Sequence, residues 1–183
     1  DYHFPATEKA RETIINMGSS PDKVFLTGCP AMDLAKEVIE NPLLEFDVYG
    51  KYGGVGPEPN LTQRFIVVMQ HPVTNEYSDA THQAVETLEA VSEFGCSVLW
   101  FWPNSDAGSD ETSKAIRTFR ELRNPANIHF FKNMEPEDFL RLLYASDGIV
   151  GNSSVAVREC SFLGVPAVDI GSRQQNRERG PNI

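Results

Sequence analysis

Short apolar runs alternate along this chain with segments in which apolar residues recur every three or four positions. Runs of this length are typical of strands that are buried on both faces of a parallel sheet. Five of them predict strands: KVFLTG (23–28), RFIVVMQ (64–70), CSVLWFW (96–102), NIHFF (127–131) and DGIVG (147–151). A shorter run near the carboxyl end, AVDI (167–170), predicts the last strand.

The segments between the runs carry the apolar stripe of amphipathic helices. The residues of three stripes are Tyr77, Ala80, Ala84, Leu88 and Val91, then Ala115, Ile116, Phe119 and Leu122, then Phe139, Leu140 and Leu143. Strands that alternate with helices at this pitch predict right-handed crossovers and a mostly parallel sheet. The sequence therefore predicts the α/β class, with a Rossmann-like parallel sheet flanked by helices.

Residues 41–60 are rich in glycine and proline, which predicts a long loop near a domain boundary. We interpret residues 1–40 as the end of an amino-terminal domain and its connection, and residues 41–183 as a Rossmann-like carboxyl-terminal domain. The chain does not open with Met and shows no obvious closing helix. We therefore expect it to be a fragment of a longer polypeptide whose first domain is missing.

Charge and cysteine content narrow the function classes. A formal net charge of -10 argues against a nucleic-acid partner, which requires a basic face. No apolar run approaches the ~20 residues of a spanning helix, so we expect no membrane partner. The three cysteines lack metal-ligand spacing, which favours reduced thiols in a cytoplasmic protein and no metal site.

Ligands of open parallel sheets gather at the carboxyl ends of the strands. There the stretch GNSSVAVREC (151–160) joins a predicted strand to a predicted helix. Gly151 allows close backbone approach, and Asn152 or Ser153 can cap the helix, whose first amides then face an anion. The alternative is an ordinary capped turn. The stretch is neither a Walker loop nor a G-x-G-x-x-G motif.

The same helix is expected to carry Arg158 and Glu159. A carboxylate in its second turn leans back toward the amino end, where it can accept hydrogen bonds from a ribose diol. The alternative is a solvent-facing Glu159 that pairs with Arg158.

Other strand ends carry polar groups as well. His71 precedes Pro72, which keeps the chain extended, and its imidazole is a candidate donor to a phosphate oxygen. Asn104 and Asp106 follow the third apolar run, with Ser109 expected to cap the next helix, although turn chemistry alone explains that stretch.

The segment after the last predicted strand brings three cations, Arg173, Arg177 and Arg179, to the same edge. Guanidinium groups there can meet a diphosphate, and a solvated basic turn is the alternative. Because residues that can bind phosphate or ribose follow several strands, the sequence predicts a nucleotide-diphosphate site.

Six stretches together carry a family resemblance: HFPAT, VFLTGCPAMD, QHPVTNEY, PNSDAGS, GNSSVAVRE and GVPAVDIGSRQQNRERGPNI. They resemble the carboxyl-terminal half of hydrolysing UDP-N-acetylglucosamine 2-epimerases. Non-hydrolysing relatives usually carry a basic run where this chain has PVTNE. The resemblance implies the second half of a glycosyltransferase-B-like fold, in which UDP-sugar binds between two Rossmann-like domains.

The resemblance also implies roles for single residues. Ser153 and Ser154 would cradle the diphosphate, and Glu159 would bind the ribose. Arg173 would contact the nucleotide, while the backbone near Met134 would hold uracil.

His71, the catalytic candidate of this half, and Asn104 would lie beside the phosphates. Asp106, Arg158 and Arg177 are further candidates for binding UDP.

The implied reaction is anti-elimination of UDP from UDP-N-acetylglucosamine, followed by hydration to N-acetylmannosamine, as in sialic-acid-type sugar biosynthesis. It requires no metal and no cofactor. The acid/base carboxylates of the family belong to the first domain, so we expect this chain alone to bind UDP weakly and to turn nothing over. Full-length members are commonly dimers or tetramers.

Three alternatives stay open. The first is an enzyme that acts on a UDP-2,4-diacetamido-trideoxy sugar, since sugar selection lies largely outside this half. A glycosyltransferase of the same architecture would require an acceptor site. A non-catalytic UDP-sugar-binding module would lack the carboxylate pair upstream.

Overall fold

The computed structural model describes residues 1–183 and contains a five-stranded sheet in which every pair of neighbours is parallel. The strands are β1 Phe65–Met69, β2 Ser97–Phe101, β3 Ile128–Phe131, β4 Ile149–Gly151 and β5 Ala167–Asp169. Their order in the sheet is β3-β2-β1-β4-β5, which matches the first five strands of the common doubly wound order 3-2-1-4-5-6. The predicted α/β class with a Rossmann-like sheet is therefore confirmed.

Eight α-helices accompany the sheet. They are α1 Glu8–Asn16, α2 Ala31–Glu40, α3 Val48–Tyr52, α4 Ala80–Ser92, α5 Ser109–Arg123, α6 Pro136–Ala145, α7 Ser154–Val157 and α8 Glu159–Leu163. Short 3-10 turns span Pro21–Lys23 and Thr74–Asp79. None of the helices combines the length and the apolar character that crossing a membrane requires.

The two faces of the sheet are covered by different helices because successive strand residues point to opposite faces. On one face, Ile66 and Val68 pack with Leu88 of α4 and Ile116 of α5. On the other face, Phe65 and Val67 join the core to which α2, α6 and α8 contribute. Two of the predicted stripe residues are not buried against the sheet, since Tyr77 is 61% exposed and Leu122 is 78% exposed.

The strand predicted at residues 23–28 is not formed. Val24 makes an isolated parallel bridge with His3 and is buried, whereas Phe25 and Leu26 are exposed. An apolar run becomes a strand only where neighbours pair with it along its length, and here the residues around His3 are the only pairing segment.

The loop predicted at residues 41–60 contains α3 and covers a sheet edge. Val55 pairs with Phe130 in an antiparallel bridge, so the open edge of β3 is shielded. Helix α2 packs against α6 and α8 and buries Ala35 and Val38 in the main core. The domain boundary near residue 40 stays a prediction.

Candidate functional site

The centre of the sheet is a topological switch point, because the chain leaves β1 toward β2 on one side and leaves β4 toward β5 on the other. Such a point opens a crevice at the carboxyl ends of the two strands. His71 and Asn152 face each other there. The Asn152 Oδ1 accepts from the His71 backbone N–H at 2.7 Å, and its Nδ2 donates to the His71 carbonyl at 2.7 Å.

Gly151 lets the two strands approach closely enough for this pairing. Its φ is 143°, a conformation that favours glycine, and an added Cβ would lie 2.1 Å from the Met69 carbonyl oxygen. The next residue, Asn152, donates its backbone N–H to that same oxygen at 3.1 Å. Position 151 therefore requires glycine, as the expected close approach implies.

His71 is 3% exposed, and its ring is oriented by one hydrogen bond. The Asn104 backbone N–H donates to Nδ1 at 3.1 Å, which leaves the ring proton on Nε2. Burial, together with the Arg173 guanidinium, lowers the pKa of His71 from 6.5 to about 4, although Asp106 acts in the opposite direction. At neutral pH the imidazole is uncharged and offers an N–H donor.

Arg173 joins the loop after β5 to this cluster. Its Nη1 donates to the Asn152 carbonyl at 3.3 Å, and its Nη2 donates to the Asp106 Oδ2 at 3.1 Å. The fold thus brings together His71, Asn104, Asp106 and Arg173, which the sequence assigns to three separate strand ends. We call these four residues and Asn152 the switch-point cluster.

The segment after Asn152 begins as expected and then departs from the prediction. Ser153 is the N-cap of α7, and its Oγ accepts from the Val155 N–H at 3.4 Å. Ser154 is the first residue of α7. The expected single helix is wrong, because the chain breaks at Arg158, with φ -106° and ψ -77°, before α8 begins. Two β-branched valines among the four residues of α7 weaken its helical propensity.

Glu159 opens α8 and is 7% exposed, so the solvent-facing alternative is wrong. Its pairing with Arg158 is present, since the Arg158 Nη2 donates to Oε1 at 2.7 Å. The other carboxylate oxygen, Oε2, is buried and has no hydrogen-bond partner. A buried acceptor of this kind is costly unless a ligand hydroxyl or a similar donor meets it.

Met134 and Arg177 lie outside the switch-point cluster. Met134 is in the loop between β3 and α6, and its side chain is buried in the core that also holds Phe131 and Leu140. Arg177 is exposed in the loop after β5. Their predicted roles, like those of the other site residues, stay predictions.

Sequence reasoning missed two buried polar residues that organise the cluster. The sequence predicts Asn152 only as a helix cap. Its position directly after the glycine that ends a strand is the signal that could have indicated contacts with the neighbouring strand. Gln174 is 2% exposed, and its Nε2 donates to the Asn152 carbonyl at 2.8 Å. Gln174 carries no sequence signal, because glutamine in a polar loop normally faces solvent.

A second crossing contact lies at the rim of the crevice. The Ser172 hydroxyl donates to the Glu76 Oε1, and the Gln83 Nε2 donates to the Glu76 Oε2 at 2.9 Å. The loop after β1 is thereby tied to the loop after β5.

Neither a surface groove nor a metal centre involves any of the predicted site residues. A groove of about 610 Å³ lies between α4 and α5 and is lined partly by Val85, Phe119 and Leu122, but by none of the predicted site residues. The structure contains no group of three or more His, Cys, Asp or Glu side chains arranged to hold a metal ion. The switch-point cluster is therefore the candidate site.

The chain matches a family model described as UDP-N-acetylglucosamine 2-epimerase over residues 1–183. It is 28% identical over 182 residues to a Legionella pneumophila protein named UDP-N,N'-diacetylbacillosamine 2-epimerase (hydrolyzing), covering 100% of this chain and 46% of the relative. It is also 28% identical over 181 residues to a Neisseria meningitidis UDP-N-acetylglucosamine 2-epimerase, covering 99% and 45%. The chain thus spans about half the length of these relatives.

Solved structures agree on the fold. The N. meningitidis UDP-GlcNAc 2-epimerase bound to UDP-GlcNAc superimposes with a TM-score of 0.66 at 18% identity, covering 92% of this chain and 44% of that one. The S. aureus MnaA–UDP complex gives 0.65 at 16% identity, covering 94% and 42%. In both cases the matching region is under half of the solved chain.

Proposed function

Because the chain belongs to the UDP-N-acetylglucosamine 2-epimerase family, we propose that the protein containing it is a hydrolysing UDP-N-acetylglucosamine 2-epimerase. It eliminates UDP from UDP-N-acetylglucosamine and hydrates the resulting glycal to N-acetylmannosamine. The named hydrolysing relative supports the reaction type. A 29% identical Escherichia coli relative, named polysialic acid biosynthesis protein P7, supports a role in supplying sialic-acid-type sugars.

The observation that carries the proposal is the switch-point cluster. Departure of UDP develops negative charge on a diphosphate oxygen, and fixed donors at that oxygen stabilise the transition state. His71 offers its Nε2–H from the loop after β1, and Arg173 offers a guanidinium from the loop after β5. In this proposal His71 is the catalytic group of this half, acting on the leaving diphosphate.

The low pKa of His71 decides how it acts. With a pKa of about 4, the imidazole is neutral at physiological pH and donates a hydrogen bond without transferring its proton. A neutral donor that is held by the Asn104 N–H requires no reorientation as charge develops.

We assign the diphosphate to the turn that follows β4. Ser153 and Ser154 lie directly after Asn152, whose carbonyl is held by Arg173. The first amides of a helix have no intrahelical carbonyl partners and can therefore bind phosphate oxygens. In a helix as short as α7 the amides and the serine hydroxyls contribute more than any macrodipole.

We assign the ribose to Glu159. Its Oε1 is held by Arg158, so the buried Oε2 is the oxygen that is free to accept from a ribose hydroxyl. Arg158 then acts by orienting the carboxylate.

We assign uracil to the backbone beside Met134, at the carboxyl end of β3. Asn104 and Asp106 orient His71 and Arg173 respectively, through the contacts described above. Arg177 is exposed in the loop after β5 and in this proposal supplies positive potential to the nucleotide.

Proton abstraction at carbon 2 of the sugar belongs to carboxylates outside this chain. We therefore propose that residues 1–183 bind UDP weakly and do not turn over, and that the longer protein acts in the cytoplasm as a homo-oligomer without metal or cofactor. UDP-N-acetylglucosamine and UDP are its small-molecule partners.

A second substrate is supported by one observation. Two relatives carry names that refer to diacetylbacillosamine, one from L. pneumophila and one from Campylobacter jejuni that is 24% identical. A UDP-2,4-diacetamido-trideoxy sugar would bind through the same UDP contacts.

Product analysis of the longer protein with each sugar nucleotide tests the proposal. We expect free N-acetylmannosamine and UDP from UDP-N-acetylglucosamine. Release of the sugar only from the diacetamido substrate would assign the second function. Binding of UDP with no product from either substrate would indicate a non-catalytic module.

A further inference from the structure

The hydrogen-bond ladder between β1 and β4 ends at the pair Met69 and Gly151. Beyond that pair the segment after β1 leads to β2 and the segment after β4 leads to β5, on opposite sides in the strand order, and the strand register between them ends. From this point the Asn152 side chain, and not a backbone segment, pairs with the chain after β1. Its amide presents one acceptor and one donor, like a peptide group, and it satisfies both the N–H and the carbonyl of His71 at 2.7 Å each.

The backbone carbonyl of Asn152 is also occupied. It accepts from the Gln174 Nε2 at 2.8 Å and from the Arg173 Nη1 at 3.3 Å. Asn152 and Gln174 are each 2% exposed, so these contacts are shielded from competing solvent. One residue therefore joins the ends of β1, β4 and the loop after β5.

We propose that Asn152 is the positioning residue of the switch-point cluster, which sets the placement of His71 relative to Arg173 before a ligand arrives. The inference rests on the proposed function for the identity of the ligand, a nucleoside diphosphate. Asn152 acts through its neighbours: its side chain holds the His71 backbone, its carbonyl holds Arg173, and its own polar atoms are occupied by these contacts.

The requirement for asparagine follows from the hydrogen-bond pattern. An aspartate at position 152 can accept from the His71 N–H, but its second oxygen would face the His71 carbonyl without a proton between them. The residue would also place a negative charge beside the diphosphate. Substitution of Asn152 by Asp is therefore a nearly isosteric change that removes one hydrogen bond and sets two acceptors against each other.

Asn127 provides a matched control. Its Nδ2 also donates to backbone carbonyls, those of Cys96 at 3.3 Å and Val91 at 3.4 Å. It lies next to the amino end of β3, whereas the cluster lies at the carboxyl ends of the strands. Asn127→Asp introduces the same chemical change away from the site.

The test compares the 183-residue chain with Asn152→Asp and Asn127→Asp in two measurements. The first is the ring tautomer of His71, read from its imidazole ¹⁵N shifts without ligand. The second is the dissociation constant for UDP by calorimetry. We expect Asn152→Asp to shift the His71 tautomer equilibrium and to weaken UDP binding by about tenfold or more, and Asn127→Asp to leave both unchanged.

A merely structural role for Asn152 would lower the thermal midpoint but leave the His71 tautomer and the UDP affinity of the folded protein as they are, and that result would overturn the proposal. If Asn152→Asp fails to fold, Gln174→Met removes one donor to the Asn152 carbonyl and is expected to weaken UDP binding about threefold. An unchanged affinity in that variant would count equally against the proposal.

The two measurements separate this proposal from the function on which it rests. If the unmodified chain does not bind UDP, the proposed function fails, whereas a tautomer shift confined to Asn152→Asp still supports the positioning role. If UDP binds but neither measurement responds to the substitution, the positioning role fails alone.

Discussion

His71 and Asn152 hold each other through two reciprocal hydrogen bonds of 2.7 Å, although 81 positions separate them in the chain. The pairing fixes the backbone of His71, and the Asn104 N–H fixes its ring. The donor proposed for the leaving diphosphate is thus oriented by the protein alone. Preorganised donors of this kind are a major source of transition-state stabilisation because they avoid reorganisation during the reaction.

Acid should destabilise the fold through His71. Its folded pKa of about 4 lies below the unfolded value of 6.5, so between these pH values the unfolded chain binds a proton that the folded chain does not. The unfolding free energy should fall as pH drops through this window, by up to about 3 kcal/mol. Urea denaturation at pH 7, 5.5 and 4 measures it.

The comparison for that experiment is His71→Gln, which should lose this part of the pH dependence. His82→Gln is the matched control, since His82 is an exposed helical residue with a side chain 78% accessible. Equal slopes for His71→Gln and the unmodified chain would show that His71 titrates normally in the folded state.

Removal of the Arg173 charge should weaken UDP binding. A charge-assisted hydrogen bond to a phosphate is worth about 1.5–3 kcal/mol, so Arg173→Gln should raise the dissociation constant by about 10- to 100-fold. Arg123→Gln serves as the control, because Arg123 pairs with Glu89 on the outer surface at 2.7 Å. Calorimetric titrations that give the same affinity for Arg173→Gln and Arg123→Gln would rule out the assigned contact.

Glu159 should make the protein prefer ligands that carry ribose hydroxyls. We expect the unmodified chain to prefer UDP over 2′,3′-dideoxy-UDP by about tenfold, and Glu159→Gln to lose most of this preference. The comparison of two ligands and two proteins isolates the contact from general effects on folding. Glu121→Gln, on the exposed part of α5, should keep the full preference, and an undiminished preference in Glu159→Gln would remove the ribose assignment.

Gly151 should tolerate no side chain. In Gly151→Ala the new Cβ would collide with the Met69 carbonyl at 2.1 Å and would sit at a φ of 143°. We expect a loss of about 3 kcal/mol or more in unfolding free energy, because backbone atoms must move to relieve the contact. Gly95→Ala is the control, since an added Cβ there meets no atom within 4 Å. A similar stability for both variants in urea denaturation would contradict the close approach of β1 and β4.

Much of the fold could be predicted because the strands of a doubly wound sheet are buried on both faces and appear as continuous apolar runs. The same signal fails at residues 23–28, where an apolar run has almost no strand to pair with. The sequence predicts Ser109 as the cap of α5, but the N-cap is Gly108 with φ 92°, which places Ser109 inside the first turn. Caps depend on local backbone geometry that composition does not determine.

The candidate site could be predicted in part. His71, Asn104, Asp106 and Arg173 were identifiable because each follows an apolar run, and parallel strands end at one edge of the sheet. The pairing of His71 with Asn152 could not be predicted, because it depends on β4 lying next to β1 in the sheet. Strand order is set by the crossovers and is not visible in the periodicity of the runs.

The most direct test of the account is a UDP titration of the 183-residue chain followed by backbone amide NMR shifts. The account predicts the largest changes at His71, Asn104, Arg173 and residues 152–154, with Glu159 also affected. Changes that cluster in the groove between α4 and α5, or no saturable change at any residue, would contradict a nucleotide site at the switch point.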